Sequence, residues 1–219
     1  MSNVATPVVK LRNVVVLSGT FPLLSGFDLE LYAGSLTVVT GANGAGKTSL
    51  LRLLAGLATL SGGSATVVGV DLVHDDLRQL RRRVGWLGHE GSFYDDLSVY
   101  ENLMFAARAL RRPVLDVDQA LERVGLEGRR NFVTKHLSAG QRRRLGLAWL
   151  LVRRPELWLL DEPYASLDDD GRTFFDDLLG DVVTSGATVV LSAHDSLRSG
   201  ALHPRTLTLA GGRIVRDDW

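Results

Sequence analysis

Gly41-Ala42-Asn43-Gly44-Ala45-Gly46-Lys47-Thr48 is the stretch on which the reading of this chain turns. It lies between a short apolar run, 36–40, and a segment, 47–57, whose residues Leu50, Leu51, Leu53, Leu54 and Leu57 recur at helical spacing. Strand, glycine-rich loop and helix in this order match the P-loop pattern in the context the pattern demands. Glycines let successive backbone N–H groups curl around phosphate oxygens, and the positive end of the helix dipole adds to the attraction. A cradle running from Gly41 to Ser49 then lets Lys47 reach terminal phosphates and the Thr48 hydroxyl bind Mg2+. A plain glycine-rich turn is the rival reading, and the flanking strand and helix count against it.

Working outward, 8–16 and 27–32 read as strands. The second alternates Phe27, Leu29 and Leu31 against Asp28 and Glu30, as a half-buried antiparallel strand does. Short apolar runs at 84–87, 157–160 and 188–192 read as buried strands, and 98–110, 117–124 and 171–183 as helices. Ser98 with Glu101 three residues on forms a capping box. A mainly helical insert spans roughly 89–153, and 206–215 closes as a hairpin turning at Gly211-Gly212. Continuous apolar strands joined by helices predict an α/β chain with a covered, mostly parallel sheet.

Composition narrows the possible partners. The 219 residues carry 25 Lys+Arg against 25 Asp+Glu, so no bulk field recruits nucleic acid, and nucleic-acid binding is not expected. With no cysteine there is no disulfide, thiolate metal site or thiol nucleophile. Residues 1–10 lack a basic region followed by an apolar one, so no signal peptide is expected. The most apolar stretch, 145–160, is interrupted by Arg153, Arg154 and Glu156, short of the roughly 18 apolar residues a membrane span needs.

A second chemical feature is Leu157-Trp158-Leu159-Leu160-Asp161-Glu162, an apolar strand ending in two carboxylates. In phosphoryl-transfer chemistry Asp161 would hold Mg2+ through water, and Glu162 would orient and polarise the attacking water. Alone, acids after a strand are as readily structural. They are joined by Leu137-Ser138-Ala139-Gly140-Gln141 ahead of a helix, by Tyr164-Ala165-Ser166-Leu167-Asp168, and by His194 just after the strand at 188–192.

In this order, from about residue 8 to 215, these elements resemble the ABC-type ATPases. Residues 137–141 resemble the signature loop, 164–168 the D-loop and His194 the switch histidine. The resemblance implies a P-loop NTPase fold with a RecA-like core, an N-terminal antiparallel β subdomain and an inserted helical subdomain. The chain would be one ABC ATP-binding domain, 1–219, with 1–88 and 154–219 as the nucleotide-binding core and 89–153 as the helical subdomain. Ser138 and the first amides of the following helix make a second anion site, away from the P-loop. The family pattern closes such half-sites head to tail. Each ATP is clamped between one copy's P-loop and the other's Ser138, Ala139, Gly140 and Gln141, with Asp168 at the dimer contact. The catalytic set so implied is Glu162, His194 and Lys47, the cofactors are ATP and Mg2+, and the metal ligands are Thr48, Asp161 and His89. The resemblance also implies a peripheral subunit at the cytoplasmic face of the cell membrane, bound to integral membrane permease chains and paired as a homodimer.

Two positions depart from the family pattern. His89 stands where most members carry glutamine; an imidazole still ligates a metal or holds a water, though Glu90 beside it is the alternative contact. Ser18 stands at the adenine-stacking position, with Phe21 the alternative aromatic. The pair Gly88-His89, Glu101-Asn102-Leu103, the block 137–143 and Leu157-Trp158 resemble, within the family, the ATPase subunits of cytochrome c maturation, the haem exporters. Another small exporter is the second reading. Arg81 to Arg83 and Arg142 to Arg144 read as solvated or ion-paired helix faces. His74, His136 and His203 read as surface or structural residues, and Asp169 and Asp170 fit a helix N-terminus. Trp86, Phe93 and Tyr94 are either core aromatics or part of a groove that receives a helix of a membrane partner.

Overall fold

The strands divide between two sheets. In the computed structural model, which describes residues 6–88, 93–165, 167–193 and 203–219, β1 (Val9–Ser18) pairs antiparallel with β2 (Phe21–Leu31) on one side. On its other side it pairs with β4 (Gly62–Val67), which carries the short β5 (Val70–Asp71). The larger sheet contains β3 (Leu36–Thr40), β6 (Val84–Leu87), β7 (Leu157–Leu160), β8 (Thr188–Ser192), β9 (Arg205–Ala210) and β10 (Arg213–Asp218). Its order is β10-β9-β3-β8-β7-β6, parallel throughout except for the β9–β10 hairpin. The expected mostly parallel sheet is thus found.

Alternate residues of the central strands face opposite sides, as the strand period requires. Val39, Leu159 and Val190 pack toward the antiparallel sheet and α1 (Lys47–Leu54). Val38, Leu160 and Leu191 pack toward α3 (Val99–Ala109), α4 (Val114–Arg123), α5 (Ala139–Arg153) and α6 (Asp169–Thr184). Leu50, Leu51, Leu53 and Leu54 of α1 are fully buried, each such burial being worth about 1.5–3 kcal/mol. Because β3 lies between β8 and β9, the loop after it emerges at the centre of the sheet's carboxyl edge, where open α/β sheets bind ligands.

Several elements differ from the expectation. β2 begins at Phe21 rather than 27, because it pairs with β1 along its whole length, from Val9↔Leu31 to Ser18↔Phe21. The α1 helix ends at Leu54 rather than 57, since the turn at Gly56 runs at positive φ with Leu80 packed against it. β4, β5 and α2 (Leu77–Arg83) were not anticipated. The capping box at Ser98 is present, with both reciprocal bonds formed.

Candidate active site

The P-loop follows β3 directly. Gly41, Gly44 and Gly46 take positive φ, and Gly46 is the N-cap of α1, whose first turn carries no acid to compete with an anion. At Gly41 a side chain is excluded twice over: φ is +138° and a Cβ would lie 2.3 Å from the Leu209 carbonyl of β9. Ala42, Asn43 and Gly44 face solvent. Lys47 is buried and its Nζ donates to the carbonyls of Gly41, at 2.7 Å, and Ala42, at 3.3 Å, so the cation sits inside the loop it serves. Both sheets brace the loop from beneath: Gly212 of the β9–β10 turn donates to Ala45 O at 3.0 Å, and Ser25 of β2 donates to Gly212 O at 2.8 Å.

Two strands away, β7 delivers the carboxylates. Asp161 is nearly fully buried, and its Oδ1 accepts from Ser192 Oγ at 2.6 Å and from Thr48 Oγ1 at 3.2 Å. The same Ser192 hydroxyl accepts from the Glu162 backbone N–H at 2.8 Å. Thr48, Asp161 and Ser192 thereby gather hard oxygen donors at one point, a set suited to a divalent cation such as Mg2+ and poorly suited to soft metals. Ser192, absent from the sequence reading, is the middle of this cluster; a serine ending a buried strand carried no signal of its own. Glu162 adopts φ +46°, a conformation that L side chains rarely take.

The signature segment lies on the helical side. Ser138 is the N-cap of α5, and it forms a capping box with Gln141: Gln141 N donates to Ser138 Oγ at 3.3 Å and Ser138 N donates to Gln141 Oε1 at 3.0 Å. Ala139 is exposed and Gly140 half-buried at the first turn, where amides lack intrahelical acceptors. Among the described residues no hydrogen bond joins 138–141 to 41–49. Asp168 is the N-cap of α6, its Oδ1 accepting from Gly171 N at 2.8 Å, with Asp169 and Asp170 in the first turn. His89, Glu90, Ser166 and His194 lie outside the described residues. Ser18 and Phe21 face each other across the β1–β2 turn, and Phe21 is 68% exposed.

The arginine runs are not the uniform solvated faces that their composition suggests. Arg83 is paired with Glu156, at 2.6 and 2.7 Å, as expected of an ion-paired face, and Arg142 with Asp95 at 2.7 Å. Arg143 instead turns inward, to three main-chain carbonyls at the ends of β6 and β7. Its Nη1 donates to Gly88 O at 2.9 Å and its Nη2 to Glu162 O at 2.7 Å and Asp161 O at 3.3 Å. Burial draws its pKa down, opposed by the Asp161 and Glu162 carboxylates. Trp86, Phe93 and Trp149 line a groove of about 340 Å³ with Arg81 and Arg153. Beyond it Tyr94 and Phe105, both about half exposed, pack edge to face.

Residues 24–165 match the family described as ABC transporter. The chain is 38% identical over 200 residues to the cytochrome c biogenesis ATP-binding export protein CcmA of Bradyrhizobium diazoefficiens, covering 91% of this chain and 96% of that one. It is 35% identical to the phosphonates import ATP-binding protein PhnC of Hyphomonas neptunium, over 100% of this chain and 89% of that one. Among solved structures, an ATP-binding cassette seen as a dimer in a post-hydrolysis state with ADP and Pi superposes with a TM-score of 0.87. The two share 24% identity over 96% of this chain and 97% of that one, a likeness of fold. This chain belongs to the ABC transporter family, as one of its ATP-binding and ATP-hydrolysing cassettes.

Proposed function

We propose that this cassette energises haem export, or release of haem from its chaperone, in cytochrome c biogenesis, bound at the cytoplasmic face of the cell membrane to integral membrane chains. ABC cassettes pair with permease components and dimerise; which permease, and a homodimer rather than a mixed one, are part of the proposal. The support for the biological role is the likeness to proteins named for cytochrome c biogenesis in several bacteria, at 34–40% identity. The importer relative means that fold and site alone do not set the direction of transport.

The chemical reading rests on one observation, the convergence of Thr48 and Ser192 on Asp161 beside the P-loop, with the Glu162 backbone N–H donating to the same Ser192 hydroxyl. Gly41 to Ser49 hold the phosphates of ATP, with Lys47 leaving the Gly41 and Ala42 carbonyls for the terminal phosphates. Thr48 and Asp161 would hold Mg2+, with His89 a further ligand; such an ion would supply charge neutralisation at the phosphates. Glu162 takes a proton from the attacking water, and His194 contacts the terminal phosphate. In the closed dimer Ser138 to Gln141 of the other copy complete the site and Asp168 meets the partner copy. Phe21 rather than Ser18 stacks on adenine: it is exposed, and β2 runs past the P-loop two residues later, where Leu23 O lies 2.8 Å from a Cβ built on Gly46. The helical part, 89–153, moves against the core at 1–88 and 154–219, and the groove beside Trp86 and Trp149 takes a helix of the membrane partner.

ATP favours the closed state because the contacts from both copies exist together only there. The test is genetic and biochemical together. Cells lacking this chain lose c-type cytochromes, wild type restores them and Glu162→Gln does not, while the Glu162→Gln protein co-purifies with small integral membrane proteins in the presence of ATP. Intact cytochromes in the deletion strain with an unrelated permease co-purifying would move the function to another exporter and leave the ATPase standing.

A further inference from the structure

We propose that Arg143 is a positioning residue for hydrolysis, holding the backbone of Glu162 in its hydrolytic conformation from the helix that carries the signature serine. The inference rests on the reading of Glu162 as the residue that polarises the attacking water.

Glu162 lies at φ +46°. A non-glycine residue there costs on the order of 1–2 kcal/mol and persists only where its surroundings over-determine it. Both peptide groups of the residue are in fact held. Ser192 Oγ accepts its N–H at 2.8 Å, and its carbonyl accepts from Arg143 Nη2 at 2.7 Å and from Ala165 N at 3.1 Å. Without the carbonyl contacts the peptide after Glu162 is free to rotate, and the carboxylate moves with it.

The side chain suited to this task is a guanidinium. Its rigid fork reaches Gly88 O at the end of β6 with one nitrogen and Asp161 O and Glu162 O at the end of β7 with the other. A lysine ammonium is a point donor and cannot span both strand ends in one plane. The site also keeps a desolvated cation where burial lowers its pKa and where an apolar side chain would pack at lower cost. That cost is explained if the guanidinium sets the carboxylate turn and is not explained by packing.

The neighbouring arginines behave differently. Arg142 pairs with Asp95 and donates to Thr134 O, and Arg144 donates to Val124 O and lies over the Phe174 ring, so neither touches the turn. Arg143 alone of the three connects α5, which Ser138 caps, to Asp161 and Glu162. A shift of α5 when a second copy engages Ser138 is therefore transmitted to Glu162 through one side chain, and hydrolysis is coupled to closure.

The experiment compares Arg143→Met, Arg143→Lys, Glu162→Gln and the Arg143→Met/Glu162→Gln double variant in the full chain, reading kcat and KM for ATP and the melting temperature. The expected result is a roughly tenfold to hundredfold fall in kcat for Arg143→Met, the scale of a misplaced catalytic group. KM should stay within about threefold, Arg143→Lys should recover part of the loss, and the double variant should be no slower than Glu162→Gln, as residues acting as one unit are not additive. A kcat for Arg143→Met within about twofold of wild type overturns the inference, and so does a double variant slowed by the product of the two single losses. If Arg143→Met does not fold, Arg143→Lys and Arg143→Gln are judged by the same kcat and KM criterion. Glu162→Gln retaining turnover would remove the reading of Glu162 itself, whereas an inactive Glu162→Gln beside an active Arg143→Met would remove only this inference.

Discussion

Gly41 and Gly140 are both glycines in motifs, yet this chain requires only one of them. Gly41 has φ +138° and no room for a Cβ against Leu209 O, so its identity is dictated by the fold. Gly140 has ordinary helical backbone, and a Cβ built there meets nothing within 4 Å. No contact within 4 Å in this chain demands its lack of a side chain, which is in keeping with the proposed clamp on a second copy's nucleotide. Gly140→Asp separates the two demands. An acid in the first turn of α5 favours the helix dipole, by about 0.3–1 kcal/mol, so the melting temperature should hold or rise. In the proposed clamp the same charge would face the phosphates of the partner's ATP, so steady-state turnover should fall by at least about tenfold, a barrier change of roughly 1.4 kcal/mol. Unchanged turnover with unchanged stability would mean that Gly140 faces no nucleotide.

At the scale of elements, the helical part is pinned by Asn102, one of the residues by which the sequence resembled its subfamily. It is fully buried: Nδ2 donates to Tyr94 O at 3.0 Å, Ser98 O at 3.1 Å and Thr134 Oγ1 at 3.0 Å, and Oδ1 accepts from Tyr94 N at 2.9 Å. Asn102→Ala removes these hydrogen bonds from a buried side chain and should cost about 2–4 kcal/mol in urea unfolding; a change below about 0.5 kcal/mol would show that the network is dispensable. Why some elements were legible and others not has physical causes. The helix at α3 announced itself through Ser98 and Glu101, whose reciprocal bonds are local in sequence. The β4–β5 hairpin stayed hidden because its two turn residues, both at positive φ, are Val68 and Gly69 rather than Asn-Gly, and because β4 reads Gly-Gly-Ser-Ala-Thr-Val, nearly without large apolar residues. α2 is too short, at seven residues, for its period to stand out from its arginines. In the site, Lys47, Thr48 and Asp161 were readable because a motif carries them. Ser192 and Arg143 were not, because their partners lie 31 and 18 positions away in the chain and meet only in the fold.

For the molecule as a whole, no helix among the described residues is long and apolar enough to cross a membrane, and the chain is electrically neutral overall. For the proposed pairing with a membrane permease, the groove beside Trp86 and Trp149 and the exposed Tyr94 and Phe105 supply apolar area. The P-loop lies on the parallel sheet and Ser138 on the helical part, so the proposed shared site needs two copies for each pair of nucleotides. The most direct measurement is the mass of the Glu162→Gln protein by light scattering during size exclusion, with and without ATP and Mg2+. Binding without hydrolysis should hold the dimer closed, so the expected mass is twice the 23.8 kDa chain mass with ATP and a single chain mass without it. A Glu162→Gln protein that binds ATP and still elutes as a monomer would contradict the shared site.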